Sequence, residues 1–253
     1  MMVIDAFVQV GKSIHGYELS PEELVENMDQ YGIDSSVVCP VQPYTYHLEP
    51  ENDYIAQLAA KNNRFIGFCR VDPRQREKAV LEVDRSINEL KLRGVFLHPW
   101  EEGYRINANF VVPVLEKAQQ LNVPVMIASG YPWFSHALQV VDVAKRVPNV
   151  KIIMTHGATL NISGFAIADA FLALSEHENL FVEISGVYRQ DYVADIIEKL
   201  GVHRVLFGSN SPNMHQGFEL DRAKNYTRKN PEHQQLVLGG NLEKLLQTKS
   251  TSV

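Results

Sequence analysis

At 253 residues, 45% of them hydrophobic and 21% charged, the chain has the material for one large core, and its length suits a single eight-stranded α/β barrel of roughly 250 residues. A net charge of −6 leaves no basic surplus to neutralise phosphates, so nucleic acid is not an expected partner. No apolar run approaches the ~20 residues of a membrane helix and no signal-peptide pattern opens the chain, which predicts a cytoplasmic protein without a membrane partner.

Short β-branched apolar runs alternate with longer amphipathic segments from end to end. The runs cover 3–8, 36–39, 65–71, 94–97, 124–129, 150–155, 180–185 and 204–208. Most are continuously apolar, as parallel strands covered on both faces must be. Between the first two, Ser20-Pro21-Glu22-Glu23 combines an N-cap serine, a first-turn proline and a glutamate at the third helical position. That helix is expected to run to Tyr31 and stop at Gly32. Asp72-Pro73 is expected to open one long charged helix toward Leu92, and further helices are predicted over 55–61, 110–121, 134–146, 164–176, 192–200, 219–228 and 242–247. The pattern predicts a single (β/α)8 TIM barrel over 1–247, with room for distortion and an extra helix near Leu242. A flexible tail is expected over 248–253. Cys39 and Cys69 lie inside apolar runs and read as buried, reduced thiols.

Barrels of this kind place chemistry at the C-terminal ends of their strands. The strand ends therefore select Gln9, Cys39, Arg70 with Asp72, His98, Ser129, His156, Glu183 with Ser185, and Asn210. His156 has the chemistry of a general acid or base, since an imidazole exchanges protons readily near neutral pH; the structural alternative is a bond to a strand-end carbonyl. Asn210, Gln9 and Ser129 can donate to a developing oxyanion or serve as plain hydrogen-bonding groups. Arg70 ends an apolar strand and reads either as an anion site or as the partner of Asp72. Glu183 reads as a proton carrier beside His156 or as a residue facing a helix. Trp100, Trp133 and neighbouring tyrosines are expected to wall an apolar substrate pocket, to cap the barrel, or to form the interface of a homo-oligomer.

In order and spacing, the segments 3–6 (VIDA), 94–99 (GVFLHP), 124–127 (PVMI), 151–157 (KIIMTHG), 204–209 (RVLFGS) and 239–241 (GGN) resemble the amidohydrolase-related family of TIM-barrel hydrolases and decarboxylases. The resemblance implies one metal ion, held by two histidines after the first strand, one after the fifth and an aspartate after the eighth. Phe7, Gln9, Ala128 and Asn210 occupy those positions here. It also implies that His156 matches the family's histidine that acts on the substrate or its water. The reading is a hydrolase or lyase of a small cyclic or aromatic organic acid, ester or amide. It uses His156, Asn210 and Glu183 as catalytic groups, Gln9, Arg70, His98, Ser129, Trp100 and Trp133 as substrate contacts, and no cofactor. The alternatives are a ligand-binding protein without turnover, and an enzyme holding one divalent metal such as zinc through His98, His156 and Glu183.

Overall fold

The computed structural model describes residues 2–160 and 164–247, so the expected tail over 248–253 lies outside the described residues. The strands are β1 (Ile4–Lys12), β2 (Glu18–Leu19), β3 (Ser35–Pro40), β4 (Phe65–Gly67), β5 (Cys69–Arg70), β6 (Val95–Leu97), β7 (Val125–Ile127), β8 (Ile152–Met154), β9 (Leu180–Glu183) and β10 (Val205–Leu206). β1, β3 and β4 pair in parallel, as do β5 through β10 in sequence. The two sheets join at both seams. Phe68 N donates to Val38 O at 3.0 Å while Cys69 N donates to Gly94 O at 2.9 Å, so β4 and β5 act as one barrel strand. Ala6 N donates to Phe207 O and Asn210 N to Phe7 O, which ties the last strand back to the first. The result is the expected TIM barrel of eight parallel strands.

The helices are α1 (Pro21–Tyr31), α2 (Glu49–Lys61), α3 (Glu77–Asn88), α4 (Pro99–Glu102), α5 (Val112–Gln120), α6 (Ala137–Arg146), α7 (Gly164–Glu176), α8 (Gln190–Asp195), α9 (Gln216–Thr227), α10 (Pro231–Gln235) and α11 (Asn241–Leu246). α1 follows its sequence signals: the Ser20 side chain accepts from Glu23 N, and Gly32 closes the helix at φ 68°. The long helix expected after Asp72 is instead two pieces. Asp72 caps a short 3-10 turn, and Arg76 at φ 59° breaks the path before α3 begins.

Apolar side chains form two layers. One lies between the strands and the surrounding helices. The other fills the barrel itself with Ile4, Ala6, Phe7, Phe68, Phe96, Met126, Ile153 and Leu206, and Leu242, Leu245 and Leu246 of α11 belong to the same cluster. The helix foreseen near Leu242 thus packs onto the barrel interior. Gly94 is required there, because a Cβ would stand 2.4 Å from the Phe68 ring. A register shift in β1 between Asp5 and Val8 lets Ala6 and Phe7 both enter this cluster. Cys39 and Cys69 are buried free thiols.

Candidate functional site

A cavity of about 290 Å³ opens among the C-terminal strand ends, bordered by Phe7 and Gln9 of β1, Tyr17, His98, Trp100 and Glu101, Tyr131, His156 and Asn210. β1 is longer than expected and turns back through β2, and this hairpin carries His15 and Tyr17 to the cavity. Its neutral wall is a chain of hydrogen bonds. Tyr17 OH lies 3.0 Å from Gln9 Oε1, and Gln9 Nε2 donates to Asn210 Oδ1 at 3.3 Å. With Oδ1 engaged, the Asn210 amide keeps its N–H groups for a ligand. Asn210 sits at φ 52°, a left-handed conformation that asparagine tolerates better than most residues. Below this wall Asp5 accepts from the backbone N–H of Phe7 and Ser209 and from Gln216, and burial pushes its carboxyl up to about 6.

A second wall carries charge. Arg70 is fully buried, and its guanidinium donates to Glu102 Oε1, to Glu101 Oε2 at 2.6 Å and to Pro40 O. Burial alone would favour losing its proton, but Glu102 and Glu101 outweigh this and hold Arg70 above its ordinary value. The two carboxylates share one cation, so they part ways. Burial pushes Glu102 up to about 7, whereas for Glu101 the opposing effects of His98 and Arg70 win over burial and hold it below its usual value. His98 caps α4: its Nδ1 accepts from Glu101 N at 3.3 Å, which leaves the hydrogen on Nε2. Burial holds His98 down at about 3, so it is a neutral donor at pH 7. Trp100 stacks on Tyr131, with ring centroids 5.6 Å apart and planes 16° from parallel.

His156 follows β8 at φ 56°, ψ 28°, and Gly157 and Ala158 are left-handed too. A left-handed histidine costs about 1 kcal/mol, and the supporting bonds hold it there. Its Nδ1 lies 3.2 Å from Ser185 O and 3.0 Å from Ser185 Oγ; a carbonyl only accepts, so in the tautomer that bonds it Nδ1 carries the hydrogen and the Nε2 lone pair is left for the cavity. Burial holds this imidazole down at about 4, which makes it an unprotonated base at neutral pH. Glu183 accepts from His156 N, from Ser185 N and from Ser185 Oγ, and burial pushes it up to about 8. Gly208 gives it room, since a Cβ there would meet Glu183 Oε1 at 2.6 Å.

Of the residues selected from the sequence, His156, Asn210, Gln9, His98 and Trp100 line one cavity. Four do not. Arg70 lies behind Glu101 and pairs with Glu101 and Glu102, while Asp72 takes Arg74. Glu183 sits beneath His156 with both oxygens accepting. Ser129 is buried with Oγ donating to Ile127 O, and Trp133 is 76% exposed on a loop. Tyr17, His15 and Glu101 were not foreseen. Glu101 was the most accessible of these, standing in the first turn of a helix opened by His98-Pro99.

The positions matched to metal ligands do not fit an ion. The Phe7 ring packs against Phe96 at 5.2 Å and edge-on to His156 at 6.1 Å, Ala128 has no donor atom, and the Gln9 and Asn210 amides bind each other. Among the described residues no group of three His, Cys, Asp or Glu side chains is placed to hold a metal. The replacement set of His98, His156 and Glu183 is therefore not assembled, because Glu183 is turned to the backbone under His156.

Comparison with known proteins adds the family. The sequence pattern of the Amidohydrolase family matches residues 17–248. The gamma-resorcylate decarboxylase of a Polaromonas species is 23% identical over 246 residues, spanning 74% of this chain and 76% of that protein. Among solved structures, a 2,6-dihydroxybenzoate decarboxylase from Rhizobium superposes with a TM-score of 0.78 at 17% identity, covering 97% of this chain and 98% of the other. A dihydroxybenzoic acid decarboxylase from Polaromonas, with bound manganese and the inhibitor 2-nitroresorcinol, gives a TM-score of 0.78 at 18% identity, covering 97% and 96%. That manganese corrects the expectation of no cofactor: the group of proteins with this fold includes metal-bound members. Among the described residues, no helix is long and apolar enough to cross a membrane.

Proposed function

The chain belongs to the amidohydrolase family, and from that premise we propose that the cavity at the strand ends is an active site for acid–base chemistry at the carbonyl of a small single-ring substrate. The observation that carries this reading is the pair of Ser185 oxygens beside His156 Nδ1. With the hydrogen on Nδ1, beside Ser185 O at 3.2 Å and Ser185 Oγ at 3.0 Å, the ring presents a neutral Nε2 base to the cavity. In the proposed reaction Nε2 accepts the proton of the attacking water and returns it to the leaving oxygen or nitrogen. Asn210 Nδ2 and the Nε2–H of His98 supply neutral hydrogen bonds to the carbonyl oxygen as it gains charge, the arrangement that contributes most in acyl transfer. Glu183 and Ser185 are positioning residues that hold the His156 loop, and no step is routed through a metal. A second reading, decarboxylation of an aromatic acid, is supported by the names of the relatives.

The test is turnover of cyclic esters, cyclic amides and dihydroxybenzoates by the purified protein and by His156→Asn. The variant is expected to fold normally and to lose roughly 10²- to 10⁴-fold in kcat, the usual effect of removing a general base. With burial holding the ring at about 4, kcat/KM should fall as pH drops through that value and stay level near neutrality, not follow an unperturbed histidine. Normal turnover by the variant would remove His156 from the mechanism, and CO2 release without ester or amide cleavage would select the second reading.

A further inference from the structure

Among the described residues that border the cavity there is one carboxylate, Glu101, and no lysine or arginine. Arg70, which balances Glu101, is fully buried behind it and spends its donors on Glu101, Glu102 and a backbone carbonyl. A ligand in the cavity therefore meets the anion and not the cation. Glu101 Oε1 also has acceptor capacity left. Tyr17 OH lies 3.0 Å from it, but His98 Nε2 at 3.6 Å and His15 Nε2 at 3.9 Å stand outside hydrogen-bonding distance. The stacked Trp100 and Tyr131 rings border the same space, and aromatic faces attract cations and repel anions. A volume of about 290 Å³ suits one ring with short substituents.

From this arrangement we infer that the cavity selects a single-ring compound that is uncharged or cationic and directs an N–H or O–H at Glu101, and that Glu101 acts as a specificity determinant against ring carboxylates. The inference rests on the cavity being the active site, and it sets this chain apart from the relatives named for aromatic acids. Three probes of one size test it: benzylammonium, benzyl alcohol and benzoate, with binding followed by ligand-detected NMR at pH 7. Benzylammonium should bind about tenfold or more tightly than benzoate, the scale of one charge contact in a partly buried site, with benzyl alcohol between them. In Glu101→Gln the gap should shrink by about tenfold, and in Glu101→Asp it should persist. The ranking is read on the unmodified protein, so a Gln variant that fails to fold leaves the test standing. Benzoate binding as tightly as benzylammonium overturns the inference, and so does an unchanged gap in a folded Gln variant. Failure of the catalytic reading shows separately, as normal turnover in His156→Asn, because the ranking needs no turnover. Binding of none of the three probes overturns both.

Discussion

Two walls of the same cavity are buried by different means. On one, Gln9 and Asn210 are neutral amides that satisfy each other and Tyr17, so little is lost when water leaves them. On the other, Arg70, Glu101 and Glu102 are ionisable groups at 0–5% exposure or close to it, where each charge survives only because its partners are in place. Tyr17 joins them, its one hydroxyl proton shared between Gln9 Oε1 and Glu101 Oε1. The difference teaches where the fold is fragile: a neutral pair loses one bond when a member is removed, but a charged cluster is left with uncompensated charge.

The sharpest way to break that comparison is to delete one member from each wall. Arg70→Met should cost about 3–5 kcal/mol of unfolding free energy, because it leaves Glu101 and Glu102 buried together without their cation. Gln9→Met, which leaves only Asn210 Oδ1 and Tyr17 to find other partners, should cost about 1 kcal/mol. Urea titrations of both variants measure the two costs. Equal losses would show that the charged wall is no more strained than the neutral one.

The groups beneath and beside the walls are read by pH. Burial pushes Glu183 from 4.5 up to about 8, so the folded protein keeps a proton that the unfolded chain has released. A raised carboxyl contributes no penalty at low pH and destabilises the fold progressively as pH rises through the window between those values. The buried histidines act with the opposite sign: held at about 3 and about 4 from 6.5, they cost stability as pH falls below 6.5 and are silent above it. The window from pH 6.5 to 8 therefore isolates the carboxyls. Stability should fall across it by on the order of 2 kcal/mol for Glu183 alone, and Glu183→Gln should flatten that part of the slope. A wild-type Tm that is level or rises between pH 6.5 and 8 would contradict the raised carboxyl.

Much of this was legible in the sequence, because the barrel is written in a repeating period of apolar strand and amphipathic helix that needs no tertiary information. The strand ends that carry His156, Asn210, Gln9 and His98 border one cavity, since the geometry of a closed barrel brings those ends together whatever their order in the chain. What was not legible depended on turns and pairing. The β1–β2 hairpin that delivers Tyr17 has no hydrophobic signature of its own, and the break at Arg76 is a single positive φ inside a helical pattern. Arg70 reads from the sequence as an anion site or as the partner of Asp72, its neighbour along the chain. In the fold a strand end is closer to the next strand's loop, which is where Glu101 and Glu102 stand. For Glu183 the alternation leaves the barrel interior and a helix-facing position both open, and it cannot show that backbone N–H groups reach both oxygens.

The two tryptophans, which the sequence did not distinguish, give the smallest contrast. Trp100 borders the cavity and stacks on Tyr131, whereas Trp133 is 76% exposed at φ 66°, its carbonyl oxygen accepting from Gln139. Trp100→Ala removes half of a stacked aromatic wall, so it should raise KM for a ring substrate about 5- to 10-fold, the size of one aromatic contact of ~1 kcal/mol or slightly more. Trp133→Ala exposes nothing and leaves no buried group unpaired, so kcat and KM should both stay within about twofold of the parent. Steady-state kinetics on the two variants measure the contrast directly. A larger effect at Trp133 than at Trp100 would mean that the loop carrying Trp133 folds over the bound substrate, and the border of the site would then have to be redrawn to include it.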